Sequence, residues 1–469
     1  MTKPSLLWFR RDLRLSDHPM LTAALASGGP VIPVFILDPE TESMGSAALW
    51  RLGLSVADFA AGLSAMGSRL ILRRGPAMDV LRQLVSETGA DDVHWSRLYD
   101  PQAIARDTVV KAGLKDIGVA ATSHGGHVLH EPWTVETGQG GFYRVYTPFW
   151  RAVEGRPVAA LRALPSHLPA PDVWPRSDAL ADWTLGRRMQ RGAAVVARHQ
   201  AVGEAAALAR LDDFAAGPID GYRDLRNRPD VPGTSRLSEN LTYGEIAPAR
   251  LWHVGVRARN EGRPGAETFL REVVWRDFAY HLVYHTPHIT TRNWRPEWDA
   301  FPWRGDNPDA ERWRRGMTGE PFVDAAMREM YVTGTMHNRA RMIVASYLTK
   351  HLMTDWRVGL DWFADCLTDW DPASNAMGWQ WAAGSGPDAA PYFRIFNPAT
   401  QVEKFDPRAV YRQRFIAELG GAAATEAQSF FDAVPKSWQL DRDAPYPAPI
   451  IDLALGRARA LAAYAQRNS

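Results

Sequence analysis

Residues 369–401 read DWDPASNAMGWQWAAGSGPDAAPYFRIFNPATQ: spaced acids, an amide, two near-adjacent tryptophans, and Arg394 between Phe393 and Phe396. A packed helix has no use for that mixture. Trp379 and Trp381 are two residues apart, and positions i and i+2 point to different sides of a helix, so the two indoles cannot share one core. One of them is expected to meet something else. Asp369 and Asp371 invite three readings: metal ligands, turn residues, or partners of buried arginines. No third carboxylate or histidine lies near them in sequence, so no metal is expected.

Working outward, 469 residues are too many for one ordinary core and point to two domains. Apolar residues at 46% and charged residues at 23% are those of a globular, water-soluble chain. The opening MTKPSLLWFRRDLRL meets arginines after a short apolar run, and is expected to be neither a signal peptide nor a membrane span. A lone Cys366 excludes an internal disulfide framework and suits a reducing cytoplasm. With 54 basic against 53 acidic residues, any surface for nucleic acid has to be a local basic patch. Tryptophan is the unusual quantity. Eleven of nineteen fall between Trp252 and Trp381, most of them expected as core.

The first ~130 residues alternate buried β-rich runs (5–9, 31–37, 69–74, 91–96) with amphipathic helical text such as 77–87, the mark of a parallel α/β sheet of Rossmann-like type. Neither GxGxxG nor GxxxxGK[ST] follows the first strand. From 131 to 200 proline and glycine predict a long connector. From 201 to 469 helical patterns broken by proline-rich turns predict an all-α domain.

Three more stretches carry chemistry. Thr234, Ser235 and Ser238, with Arg236 and Leu237 among them, read either as a helix N-cap or as hydroxyls dressing a diphosphate site. Glu272 and Trp275 share a helix face, as do Asn338 and Met342. Taken with 369–401, the segments TSRLSENLTYGE (234–245), EVVWRDF (272–278) and TMHNRARM (335–342) closely resemble the FAD-bearing half of the photolyase and cryptochrome family, most like the cyclobutane pyrimidine dimer photolyases of class I type.

The resemblance implies a bound FAD, reduced in the active form; with neither glycine-rich motif after the first strand, the flavin is not expected on the α/β sheet. It assigns the cofactor to Tyr222, Thr234, Ser235, Arg236, Leu237, Ser238, Arg341, Asp369, Trp370, Asp371 and Asn375, with Arg341 paired to Asp369 and the Asn375 amide at the reactive flavin nitrogen. Trp275 and Trp381 would stack on the fused pyrimidines of an everted lesion, Glu272 would bond their polar edges, and Asn338 and Met342 would touch the same lesion. Trp379, Trp356 and Trp303 align with the family's electron relay. Arg226, Trp275, Arg276, Asn338, Arg339 and Gln401 are expected at damaged DNA, single- or double-stranded, with the protein a cytoplasmic monomer. The residue types suit light-driven dimer splitting, a lyase reaction, because flipping a damaged base costs little and aromatic walls recover the cost. Two alternatives stand beside it. (6-4) photoproduct repair needs histidines where this chain has Asn338 and Met342. A cryptochrome-like photoreceptor favours an acid where Asn375 stands and often a C-terminal extension, whereas the text after about 450 is short and alanine-rich. The α/β half of such proteins usually carries an antenna pigment: methenyltetrahydrofolate, a deazaflavin or a second flavin. Ala103, where folate-binding relatives have an acid, speaks against the first.

Overall fold

The computed structural model describes residues 2–388, 393–419 and 424–467. Its aliphatic runs form five parallel strands, β1 (Ser5–Phe9), β2 (Val31–Leu37), β3 (Ile71–Arg74), β4 (Asp92–Ser96) and β5 (Ala120–His124), in the order β3-β2-β1-β4-β5. β1 and β2 are buried at every position because helices cover both faces of such a sheet. The fifth strand escapes the sequence reading. AATSH is small, polar and largely exposed at a sheet edge, with no hydrophobic alternation to announce it.

The order reverses between β1 and β4, where an open α/β sheet ordinarily admits a ligand. Here the crevice is filled by the chain itself. Arg10 just after β1 pairs with Asp107 at 2.6 Å, and Arg106 pairs with Asp38 just after β2 at 2.8 Å. Both guanidiniums lie over the Trp8 ring, at 4.4 and 4.9 Å.

Among the described residues, 131–200 holds only short helical pieces, of which Tyr146–Val153 is the longest. Beyond them the chain is helical. Two of its helices, Pro321–Thr333 and Pro372–Ala383, start with proline in the first turn and end on glycine at positive φ, which is why their limits could be read from sequence. The helix Asn338–Ser346 runs on into a π-helical turn, Tyr347–His351.

The halves are clamped through TYGE (242–245). The Glu245 carboxylate meets Arg51 of the helix Ser46–Ala65 at 2.9 Å with both side chains fully buried. Tyr243 donates its hydroxyl to the carbonyls of Ala48 and Thr368 at 3.0 and 2.5 Å. Gly244 has φ +66°, and a Cβ there would stand 2.1 Å from the Arg11 carbonyl oxygen, so only glycine permits this approach. The second half of TSRLSENLTYGE is therefore an interdomain fastening.

Burial also makes the fold acid-sensitive. His281 and His351, each almost without exposure, are pushed down to about 4 by burial. His281 accepts from the Tyr143 N–H at 3.1 Å and faces the Pro132 carbonyl at 3.2 Å, an arrangement that only the neutral ring satisfies. A histidine with a depressed folded-state value stabilises above its unfolded value near 6.5 and loses that contribution as pH falls towards 4, at up to about 1.4 kcal/mol per pH unit per group. Urea midpoints are expected to drop between pH 7 and pH 5, with a shallower drop in His281→Gln. Midpoints independent of pH would contradict this.

Candidate functional site

A cavity of about 560 Å³ opens among the C-terminal helices, within the range of cofactor sites. Thr234, Ser235, Arg236, Leu237 and Ser238 form one part of its lining, and Tyr222 another. The short helix after them begins at Ser238, with Leu237 as its N-cap and no side-chain cap bond. Of the two readings of TSRLS, capping is thus not what its hydroxyls do; among the described residues they make no protein hydrogen bond and remain available as donors. Arg236 takes φ +54°, rare for a side-chain-bearing residue, and Arg210 fixes the turn by donating to the Arg236 carbonyl at 2.9 Å. His199 and Arg414 line the same cavity from distant parts of the chain. Hydroxyls and cations together make a donor set suited to a diphosphate.

Deeper residues suit a flavin ring. Arg341 sends one nitrogen to both oxygens of Asp369, at 2.8 and 2.7 Å, and its Nε to the Met336 carbonyl at 2.8 Å. Asn375, buried on the helix Pro372–Ala383, gives its amide nitrogen to the Asp371 carbonyl at 2.9 Å. Its carbonyl oxygen is left for the cavity, an acceptor matched to the N–H of a reduced flavin. These residues fit FAD.

Two residues expected at the cofactor are turned elsewhere. Asp371 caps the helix by accepting from the Ser374 N–H at 2.7 Å, and takes the Tyr280 hydroxyl at 2.5 Å and Arg11 at 3.5 Å. Its carboxylate faces the α/β half, where Arg11 holds it below the usual carboxylate range against the opposing push of burial. Trp370 packs half-buried against the large helical core and is not part of the cavity wall.

Asn338 and Met342 also line this cavity, as does His337. Burial and three arginines push His337 down to about 4. Its Nδ1 accepts from the Arg339 N–H at 3.1 Å, so at neutral pH it is no ready acid.

The other lesion residues, Glu272, Trp275 and Trp381, lie outside the cavity lining, as a rim of charged and aromatic groups. Glu272 is ion-paired with Arg226. Burial raises the Glu272 carboxyl, and Arg226 followed by Arg339 draws it back. Burial, Arg226 and Arg394 together pull Arg339 below its ordinary value. Arg226 and Arg339 thus both act on the one acid, and Arg394, which acts on Arg339, lies over Trp381 at 5.2 Å. Trp275 lies flat against Tyr146, with centroids 3.7 Å apart. Gln401, on the helix Pro398–Phe405, keeps a buried side-chain oxygen without a partner. Arg276 does not join the rim. It donates to the His127 carbonyl at 2.5 Å and so ties the two halves together instead of reaching outward.

Trp379 is 2% exposed and lines the cavity, while Trp381, two residues on, is half-exposed against Phe396. Gly359 lets the helix Trp356–Cys366 close on Trp379, since a Cβ would stand 2.0 Å from the indole. Trp356 is buried, with its Nε1 on Asn293 at 2.9 Å. Arg304 bridges to Thr354, which sets Trp303 beside the chain entering Trp356. Met377 fills a seam between two aromatic clusters, one of which contains Trp275.

Comparison with known proteins agrees with this geometry. Residues 5–171 match the family model described as DNA photolyase, and residues 269–466 match the FAD binding domain of DNA photolyase. A deoxyribodipyrimidine photo-lyase of Agrobacterium fabrum is 47% identical over 99% of this chain and 98% of its own. Cryptochrome-1 of Arabidopsis thaliana is 33% identical over 97% of this chain and 69% of its own. The crystal structure of a bacterial class III photolyase from Agrobacterium tumefaciens superposes with a TM-score of 0.92 at 46% identity, covering 100% of this chain and 98% of the other.

Proposed function

From the premise that the chain belongs to the DNA photolyase family, we propose that it is an enzyme that uses light to split cyclobutane pyrimidine dimers in DNA. The carrying observation is that one cavity is lined both by the hydroxyls and Arg341–Asp369 pair suited to FAD and by Asn338 and Met342, the residues assigned to the lesion. The likeness to a class III photolyase gives no support to the class I type expected from sequence.

Reduced FAD, when bound, supplies on illumination the electron that opens the two cyclobutane bonds and takes it back, so the reaction is a lyase reaction without net redox change. The chain does the rest. Trp275 and Trp381 would flank the everted pair, at roughly 1–3 kcal/mol per stacked base. Glu272, ion-paired with Arg226, would accept from the imide edge, and the guanidinium beside it is a donor that stabilises developing negative charge. Arg226, Arg339 and Arg394 would take the phosphates on either side, making affinity fall with salt. Trp379, Trp356 and Trp303 would carry electrons inward from the surface. Neutral His337 and the amide of Asn375 disfavour (6-4) repair and a photoreceptor role. We further propose that the chain divides at about 130 and 200 into scaffold, connector and catalytic parts, and works as a monomer in the cytoplasm; among the described residues no helix is long and apolar enough to cross a membrane.

Illuminating the prereduced protein with dimer-containing single-stranded and duplex DNA, and following the return of intact thymines, tests the reaction. Absence of repair with a fully loaded protein would refute it. Trp379→Phe is expected to slow photoreduction of the oxidised protein at least tenfold while leaving repair by prereduced enzyme nearly intact. Equal loss of both would refute the relay.

A further inference from the structure

The two aromatic walls assigned to the lesion belong to separate helices, Trp275 on Ala266–His285 and Trp381 on Pro372–Ala383. Tyr146, from the connector, touches the first wall. Its ring is stacked on Trp275 with centroids 3.7 Å apart and planes 9° from parallel. Its hydroxyl donates to the Arg271 carbonyl at 2.6 Å, four residues before Trp275 on the same helix. Phe278 meets both rings edge-on, Tyr146 at 5.8 Å and Trp275 at 5.7 Å. Trp275 is thus held on one face while staying partly exposed, and the face away from Tyr146 is the one a base can take.

After Trp381 the chain turns back on itself, with the N–H groups of Gly384 and Gly386 both on the Gln380 carbonyl, at 2.9 and 3.0 Å. Asp388 follows at φ +56°, a strained conformation for a residue with a side chain. Burial raises its carboxyl, with the Tyr146 backbone N–H acting the other way.

Building on the lesion pocket proposed above, we infer that Tyr146 is a positioning residue: it fixes Trp275 as a flat wall on which one pyrimidine of the fused pair can stack. A wall ordered before binding spares the entropy of ordering it on contact.

The test compares affinities of the FAD-loaded protein for one oligonucleotide with and without a dimer. Tyr146→Leu removes the ring and is expected to weaken dimer binding about tenfold while changing undamaged-DNA binding less than about twofold. Tyr146→Phe keeps the stack and should stay within about threefold of the parent. Discrimination retained in Tyr146→Leu would overturn the inference, as would parallel loss of flavin and of binding to both DNAs. Trp275→Ala separates the two levels. If it too discriminates normally, the lesion pocket itself is misplaced; if it alone loses discrimination, only the role of Tyr146 falls.

Discussion

Glu245→Ala is expected to lower the unfolding free energy by roughly 3–5 kcal/mol, because it strands the Arg51 guanidinium in a site with no water. Arg51 and Glu245 are both fully buried, and Glu245 takes two nitrogens of Arg51 at 3.0 and 2.9 Å and the Asn240 amide at 2.6 Å, so one deletion undoes three hydrogen bonds. Against a total of about 5–15 kcal/mol for a typical domain, that is a large share. Replacing both partners together by apolar residues of similar volume, Arg51→Met with Glu245→Leu, should recover much of the loss, since no charge then remains to be desolvated. Urea unfolding followed by tryptophan fluorescence gives the comparison. If the single and double variants fall equally, the desolvated charge is not the cause.

Asp369→Ala is expected to raise the dissociation constant for FAD by about 30- to 1,000-fold, the range for removing one partner of a buried, hydrogen-bonded charge pair. Arg341 would lose both carboxylate contacts and keep only the Met336 carbonyl. Asp371→Ala makes the informative contrast. Its carboxylate is spent on the helix cap, Tyr280 and Arg11, so that variant should lose stability more than flavin. Titrating unloaded protein with FAD measures both; FAD affinity unaltered in Asp369→Ala would remove this pair from the cofactor site.

The contrast between those two aspartates marks what the sequence could say. Local signals were legible: continuous aliphatic runs gave four strands, helical patterns broken by proline-rich turns gave the all-α half, and the two-residue spacing of Trp379 and Trp381 separated a core indole from a half-exposed one. Direction was not legible. A carboxylate ahead of a helix can turn to the cavity or back to its own cap, and Asp371 and Arg276 turned to the α/β half because Arg11 and His127, hundreds of residues or more than a hundred away, wait there. Edge strand β5 lacked the hydrophobic pattern that would have announced it. His199, Arg414 and Tyr146 reach the site only through tertiary packing, and nothing in their neighbouring residues signals it.

With Arg10, Arg106, Asp38 and Asp107 layered over Trp8, the carboxyl edge of the sheet is occupied by four tightly matched charges. A pigment seeking that berth would have to evict two ion pairs and leave them unsolvated. The α/β half also contributes mechanically. It is a stiff plate that presents Arg51 and Arg11 to the helices above, and the helical half produced alone would emerge with Glu245 and Asp371 robbed of their counter-charges, a fragment prone to misfold and precipitate.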